Sequence, residues 1–249
     1  MNKKFWTETW YFLLFLMGGM LVIVFFSSLL RMVTTCLGDV SGFVHSASYY
    51  HVIQWMQTIF VLVLPALMWC RWRMKLPFAE GLKTGKARSW KIYAMVIILA
   101  LAILPMMDSF EEACSKLPLP EALRQIAEEE LATQEEILQK MLSVNGIGGW
   151  FELVLQMSVA TAIAEELAFR GALLTIFRRY TKLNKHVIAI LIGFIFSAIH
   201  MEIYGLIPRW LLGTLFVYLV YHSGSIWPSV LAHALNNLYA LLEYKGVIG

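Results

Sequence analysis

The sequence predicts an all-α protein that crosses a membrane about seven times. Of its 249 residues, 59% are hydrophobic and 15% are charged, whereas a soluble globular domain is roughly 45–50% apolar and about 25% charged. The apolar residues form runs close to the ~20 residues that a helix needs to cross a hydrocarbon core. A transmembrane β-barrel would instead show alternating segments of roughly ten residues. Composition and segment length therefore favour a polytopic bundle of transmembrane helices.

Seven segments are predicted to span the membrane. They are residues 10–30, 51–70, 91–107, 150–177, 186–203, 206–221 and 226–242. Most of the nine tryptophans lie near the ends of these segments, where indole rings straddle lipid headgroups and water. The fourth segment is the longest, so we expect it to be tilted or to extend past the membrane surface.

The connections between the segments alternate in charge. Residues 71–91 carry seven Lys and Arg against one Glu, and residues 178–185 carry four more basic residues. Residues 108–149 carry nine Asp and Glu against three Lys and Arg. Positively charged loops stay in the cytoplasm. We therefore expect a multi-pass protein of the cell's inner (cytoplasmic) membrane, with the N-terminus and both basic connections inside and residues 108–149 outside.

These assignments divide the chain into three predicted regions. Residues 1–107 form an N-terminal three-span region, and residues 150–249 form a four-span core. Between them, residues 108–149 form an acidic extracytoplasmic region with an amphipathic helix at 118–142. The sequence has no basic amphipathic region of the kind that binds nucleic acid, so we expect no nucleic-acid partner.

The fourth segment carries charge where lipid makes charge costly. Glu165, Glu166 and Arg170 lie inside its apolar stretch, and a charged side chain at mid-membrane depth costs several kcal/mol unless it is paired or hydrated. Glu166 and Arg170 are four residues apart on a helix, with the glutamate first, which favours an ion pair. Glu165 is rotated by about 100° from that face. We expect Glu166–Arg170 to be structural and Glu165 to transfer protons, although a purely structural cluster remains an alternative.

Polar residues on two later segments complete the set. Phe196 and His200 are four residues apart on the fifth segment, as are His233 and Asn237 on the seventh. Counting 1.5 Å per residue from the cytoplasmic ends puts Glu165, His200 and His233 roughly 10–20 Å deep. The three side chains are therefore expected at similar levels, in a site open to the cytoplasmic side.

Two chemistries fit these residue types. A carboxylate beside a neutral imidazole can deprotonate water, and a second histidine with an asparagine can donate hydrogen bonds to an oxyanion. Alternatively, Glu165, His200 and His233 form a three-ligand site for a divalent metal such as zinc, with an open position for water. No HExxH motif occurs. Both chemistries end in amide hydrolysis, and the sequence does not choose between a metal cofactor and none.

The polar residues resemble the three motifs of the CAAX-protease and bacteriocin-processing family of intramembrane proteases (CPBP, or Abi). These motifs read Glu165-Glu166-x-x-x-Arg170, Phe196-x-x-x-His200 and His233-x-x-x-Asn237. Their order and spacing match over residues 150–242. The resemblance implies that Glu165 and His200 activate water and that His233 and Asn237 stabilise the oxyanion. Glu166, Arg170 and Phe196 are expected to support the site.

The leading hypothesis is an intramembrane endopeptidase. Its partners are expected to be membrane lipids and a peptide or protein substrate, with or without a lipid group. Two alternatives stay open: a non-enzymatic scaffold or bacteriocin-immunity protein with the same fold, and a transporter whose polar residues relay protons or bind a cation. The two halves show no repeat and no paired broken helices, which disfavours transport. Glu202 and Arg209 are expected to reach water at the outer ends of their segments.

Overall fold

The computed structural model describes residues 3–36, 42–43, 46–144 and 146–247. Within these ranges all regular secondary structure is helical, which confirms the all-α prediction. The helices are α1 (Lys3–Cys36), α2 (Ala47–Met74), α3 (Phe78–Gly81), α4 (Lys91–Ser115), α5 (Glu121–Met141), α6 (Gly146–Tyr180), α7 (Lys185–Ala198), α8 (Leu206–Ser223) and α9 (Trp227–Tyr244).

Each of the seven predicted spans is a helix. Helices α1, α2, α4 and α6 are long and apolar enough to cross a membrane, and α7, α8 and α9 contain 14, 18 and 18 residues. The amphipathic helix predicted in the acidic region is α5. Long apolar helices and the additional shorter ones make this a multi-pass membrane protein.

The fifth span ends five residues earlier than its sequence predicts. Helix α7 stops at Ala198, because Met201 adopts a left-handed backbone conformation with φ of 60° that a right-handed helix cannot continue. The N–H of His200 bonds to the carbonyl of Ser197 at 3.1 Å, three residues back. His200 therefore lies in the turn after α7 and not on the helix.

Helices α2 and α6 each contain two π-helical stretches. Those of α6 cover Val154–Ala160 and Leu167–Leu173 and leave one α-helical stretch, Thr161–Glu166, between them. Single π turns inside α-helices occur frequently at functional sites. In α6 they flank the two adjacent glutamates on both sides.

One end of the bundle, here called the basic end, gathers the positively charged connections. It consists of residues 75–90, 181–184 and 224–226. The N–H of Ile226 donates to the carbonyl of Lys83 and the N–H of Arg88 donates to that of Ser223, both at 2.9 Å. These backbone bonds tie the start of α9 and the end of α8 to the connection before α4.

The opposite end, here called the acidic end, carries α5 and the turn after α7. It consists of residues 116–144 and 199–205. The buried His51 of α2 holds α5 there, with Nε2 3.2 Å from the carbonyl oxygen of Met141. Its Nδ1 faces Oε1 of Gln156, whose amide donates in turn to the His51 carbonyl at 2.8 Å. The Lys245 ammonium also donates to the carbonyl of Leu142. The end of α5 is thus fastened to α2, α6 and α9.

The largest hydrophobic cluster of the described residues joins the first two helices to the last four. Phe12 of α1 and Trp69 of α2 pack in the same buried cluster as Leu174 of α6 and Ile192 of α7. Helix α1 contributes little to it, since only three of its 34 residues are buried. The predicted three-region division stays a prediction, and its boundary at residue 107 falls inside α4.

Candidate active site

Arg170 and Glu166 form the ion pair that their spacing predicts. Nη1 of Arg170 lies 2.9 Å from Oε1 of Glu166, and both side chains are 0% exposed. Nη2 donates to the carbonyl of Gly213 at 2.9 Å, and the guanidinium lies 4.3 Å from the ring centroid of Phe196. The carboxylate, the carbonyl and the aromatic ring together offset the free-energy cost of removing the guanidinium charge from water. The pair therefore fastens α6 to α8 in the middle of the bundle.

His233 lies between the two glutamates. Its Nδ1 is 3.0 Å from Oε1 of Glu166, and its Nε2 is 3.5 Å from Oε2 of Glu165. Since a carboxylate oxygen accepts, Nδ1 carries a hydrogen and donates it. His233 therefore bridges the structural ion pair and Glu165.

His200 faces Glu165 from the other side. Its Nδ1 lies 2.7 Å from the carbonyl oxygen of Phe196, which can only accept, so Nδ1 carries the hydrogen and Nε2 presents a lone pair. That Nε2 is 3.9 Å from Oε1 of Glu165, too long for a direct hydrogen bond. A water that donates one hydrogen to each acceptor joins atoms roughly 4–4.5 Å apart. The separation of 3.9 Å is just below this range, so a bridging water requires the two side chains to move slightly apart.

Phe196 supports both histidines. Its ring centroid lies 5.0 Å from that of His200, 5.6 Å from that of His233 and 5.3 Å from that of Phe169. The ring is buried and also contacts Arg170. One side chain of α7 therefore touches groups from three other parts of the site.

Asn237 lies one turn beyond His233 and lines the same cavity. Its amide nitrogen donates to the carbonyl of Met157 at 3.3 Å, and an amide nitrogen has a second hydrogen to offer. The neighbouring Asn236 also lines the cavity. Sequence reasoning passed over Asn236, because the helical spacing from His233 pointed to the next residue.

A cavity of about 870 Å³ extends from the glutamate to α5. Glu165, His200 and His233 form its floor. Its rim at the acidic end includes Glu111, Gln134, Ile137 and Tyr244, all of them exposed. Pockets of roughly 300–1,000 Å³ are typical of ligand sites, so the cavity can admit a short stretch of another chain.

The cavity extends toward the acidic end, whereas the sequence predicts an opening toward the basic connections. Residues 166–177 of α6, which lead from the site to the basic end, are all buried. The lining residues lie level with the floor or on its α5 side. Counting residues along the segments predicts how deep the floor lies. It does not predict on which side of the floor the cavity lies, because that depends on how the helices pack.

Helix α5 and one ion pair are parts of the site that sequence reasoning missed. Gln134, Ile137 and Leu138 of α5 line the cavity, and the apolar face of this helix was the available signal. Glu202 and Arg209 also line the cavity and pair with each other. The two side chains are 23% (Arg209) and 27% (Glu202) exposed, so the prediction that they reach water stays a prediction.

The arrangement does not form a metal site as it stands. A metal bound at about 2.0–2.2 Å brings tetrahedral ligand atoms to roughly 3.4 Å from one another. Oε1 and Oε2 of Glu165 instead face different imidazoles, His200 at 3.9 Å and His233 at 3.5 Å. Among the described residues, no group of three or more His, Cys, Asp and Glu could hold an ion. The three predicted ligands would have to close in to bind zinc.

Residues 148–239 match the family model described as Type II CAAX prenyl endopeptidase Rce1-like. This segment is similar to the Rce1-like domain. It contains all three motifs, and the predicted resemblance to the CAAX-protease family is confirmed over these residues. The Rce1-like domain indicates the fold of a CAAX-type intramembrane protease. The match does not support the part of the prediction that concerns bacteriocins or Abi proteins. Comparisons with curated proteins and with solved structures gave no match.

Proposed function

We propose that the chain is an intramembrane endopeptidase in which Glu165 activates the attacking water. One observation carries the proposal: Glu165 of α6, His200 of the turn after α7 and His233 of α9, all within the Rce1-like segment, meet at the floor of the cavity. Titratable groups that converge in a cleft are candidates for acid and base chemistry. Arg170 with Glu166 and Phe196 hold these groups in position.

The first step is attack by water on the carbonyl carbon of the peptide bond. Glu165 and the lone pair of His200 Nε2 each accept a hydrogen from the water, which fixes its oxygen toward the cavity. As the oxygen–carbon bond forms, one water proton moves to the Glu165 carboxylate. The carbonyl π pair moves onto the carbonyl oxygen and makes it an oxyanion.

His233 and Asn237 are proposed to stabilise that oxyanion. The second amide hydrogen of Asn237 faces the cavity in this proposal. His233 can donate from Nε2 only when both of its nitrogens carry hydrogen, since Nδ1 is committed to Glu166. The proposal therefore requires His233 in its doubly protonated form. Hydrogen-bond donors already fixed at the site where charge develops are worth several kcal/mol each.

In the second step the electron pair of the oxyanion re-forms the carbonyl double bond, and the carbon–nitrogen bond breaks. The proton held by Glu165 passes to the departing nitrogen, which leaves as an amine. The other product is a carboxylic acid, and Glu165 returns to its ionised form. The reaction consumes one water. Glu165 takes up one proton in the first step and gives it away in the second, so the reaction balances without a cofactor.

We also propose an orientation of the protein in the membrane. The basic end and the N-terminus face the cytoplasm, in an inner (cytoplasmic) membrane, because positively charged connections are retained inside. The substrate is a peptide or protein, with or without a lipid group.

Replacing Glu165 with Gln tests the catalytic assignment. The protein is reconstituted in lipid nanodiscs and screened against a library of fluorescence-quenched peptides. Glu165→Gln keeps the side-chain size and removes the base, so cleavage should fall by about 10²–10⁴-fold. Glu152→Gln is the matched control, because Glu152 lies on the same helix and is exposed. Wild-type cleavage by Glu165→Gln would refute the mechanism.

Two further experiments separate the alternatives. If Glu165→Gln retains every cellular effect of the wild type, the scaffold alternative is favoured over the enzyme. A chelator tests the metal alternative, because the proposed mechanism predicts unchanged cleavage in 1,10-phenanthroline. Loss of cleavage that zinc restores would favour the metal alternative instead.

A further inference from the structure

The described part of the chain closes the cavity on the side of the basic end. On the basic side of Glu165, α6 is packed on every face, since residues 166–177 are all buried. A Cβ atom at Gly171 would already lie 3.1 Å from the carbonyl oxygen of Leu82. Leu82 and Leu174 are 0% exposed. This part of the bundle is a solid plug between the site and the basic end.

On the other side of Glu165, α6 borders free space. Thr161, one turn above the glutamate, and Met157, one turn further, both line the cavity. The same holds for α9, where the lining residues run from His233 to Tyr244 at the acidic end. The rim residues Gln134 and Ile137 are exposed on α5. The mouth of the cavity is therefore at the acidic end.

Charge decides which side of the membrane that end faces. Residues 71–91 hold seven Lys and Arg, and residues 108–149 hold nine Asp and Glu. The bias of Lys and Arg in short loops sets the orientation of a multi-pass protein. The basic end is thus cytoplasmic, and the mouth with α5 lies on the extracytoplasmic side.

We propose that the substrate reaches Glu165 from the extracytoplasmic side. The substrate is then a peptide segment exposed on that side, either in an exported protein or in a membrane protein just outside one of its own spans. Helix α5 forms one wall of the entrance, so its cavity-facing residues contact that segment. This proposal rests on the proposed proteolytic function for the identity of the ligand, and on the cavity and charge for the side of entry.

Cysteine accessibility tests the side of entry without any substrate. In a full-length protein with Cys36, Cys70 and Cys114 replaced by Ala, single cysteines are introduced as Thr161→Cys in the cavity, Gln139→Cys on the exposed face of α5, and Lys182→Cys at the basic end. A small membrane-impermeant thiol reagent is added to intact cells and, separately, to inverted membrane vesicles. We expect Thr161→Cys and Gln139→Cys to be labelled in cells, and Lys182→Cys only in inverted vesicles.

The two marker positions make each outcome informative. Labelling of Thr161→Cys together with Lys182→Cys, and not with Gln139→Cys, would overturn the position of the mouth. Labelling of Lys182→Cys in intact cells would overturn the orientation and hence the extracytoplasmic substrate. Repeating the labelling with Glu165→Gln keeps the test independent of catalysis, so failure of the proposed function and failure of the proposed entry side give different results.

Discussion

Loss of the Arg170 guanidinium should destabilise the protein more than loss of the whole Glu166–Arg170 pair. Arg170→Met removes the 2.9 Å ion pair and the 2.9 Å hydrogen bond to the Gly213 carbonyl, at a position that is 0% exposed. Breaking one partner of a buried pair costs about 3–5 kcal/mol, and an unsatisfied buried carbonyl adds roughly 1–3 kcal/mol. These costs overlap, so we expect a loss on the order of 4 kcal/mol, a large fraction of the roughly 5–15 kcal/mol of a typical protein.

The double variant Glu166→Gln/Arg170→Met separates charge from packing. It leaves no unpaired carboxylate, and the introduced amide would still offer an oxygen to Nδ1 of His233, which lies 3.0 Å from the carboxylate oxygen of Glu166. Replacing both members of a buried ion pair is often far less harmful than removing one. We therefore expect the double variant to recover at least half of the stability that Arg170→Met loses.

Unfolding in detergent by added SDS, followed through the nine tryptophans, measures these differences. Arg178→Met is the control, because Arg178 is an exposed residue of the same helix and such changes usually stay within about 0.5 kcal/mol. If Arg170→Met unfolds at the wild-type midpoint, or the double variant is no more stable than the single one, the argument for a structural ion pair is wrong.

Two further substitutions test how helices meet around the site. Gly193→Ala should lower the free energy of unfolding by about 1–3 kcal/mol in the same assay through overpacking, because its Cβ would lie 2.7 Å from the backbone nitrogen of Thr214 in α8. Gly18→Ala is the control and should be neutral, because a Cβ there would have nothing within 4 Å. Equal unfolding midpoints for the two variants would contradict the close approach of α7 and α8. His51→Ala should leave buried Gln156 without its 2.5 Å partner, cost roughly 1–3 kcal/mol and speed hydrogen exchange in α5, and unchanged exchange there would refute its role as the fastening of that helix.

The helices were predictable because their signal is local. Runs of apolar residues close to the span length predict the positions of seven helices, four of which are long and apolar enough to cross a membrane. The end of α7 at Ala198 was not predictable, since the apolar pattern continues to residue 203 while Met201 turns out of the helix. The π-helical stretches of α6 likewise leave no mark in the apolar pattern.

The candidate site was predictable to the extent that helical spacing determines it. The Glu166–Arg170 pair follows from a separation of four residues. The meeting of Glu165 with His200 and His233 follows less directly, from similar depths on different helices. The side of the mouth and the wall formed by α5 depend on contacts between distant segments, such as His51 with Met141. No single segment of the sequence carries that information.

Phe196 links the two histidines mechanically. Because its ring touches both His200 and His233 and its carbonyl oxygen anchors His200, any shift of α7 moves the two imidazoles together. Attempts to retune one histidine by reshaping its surroundings would therefore disturb the other. Engineered changes in activity should start from the cavity walls, where residues such as Leu138 can be altered while this shared support stays intact.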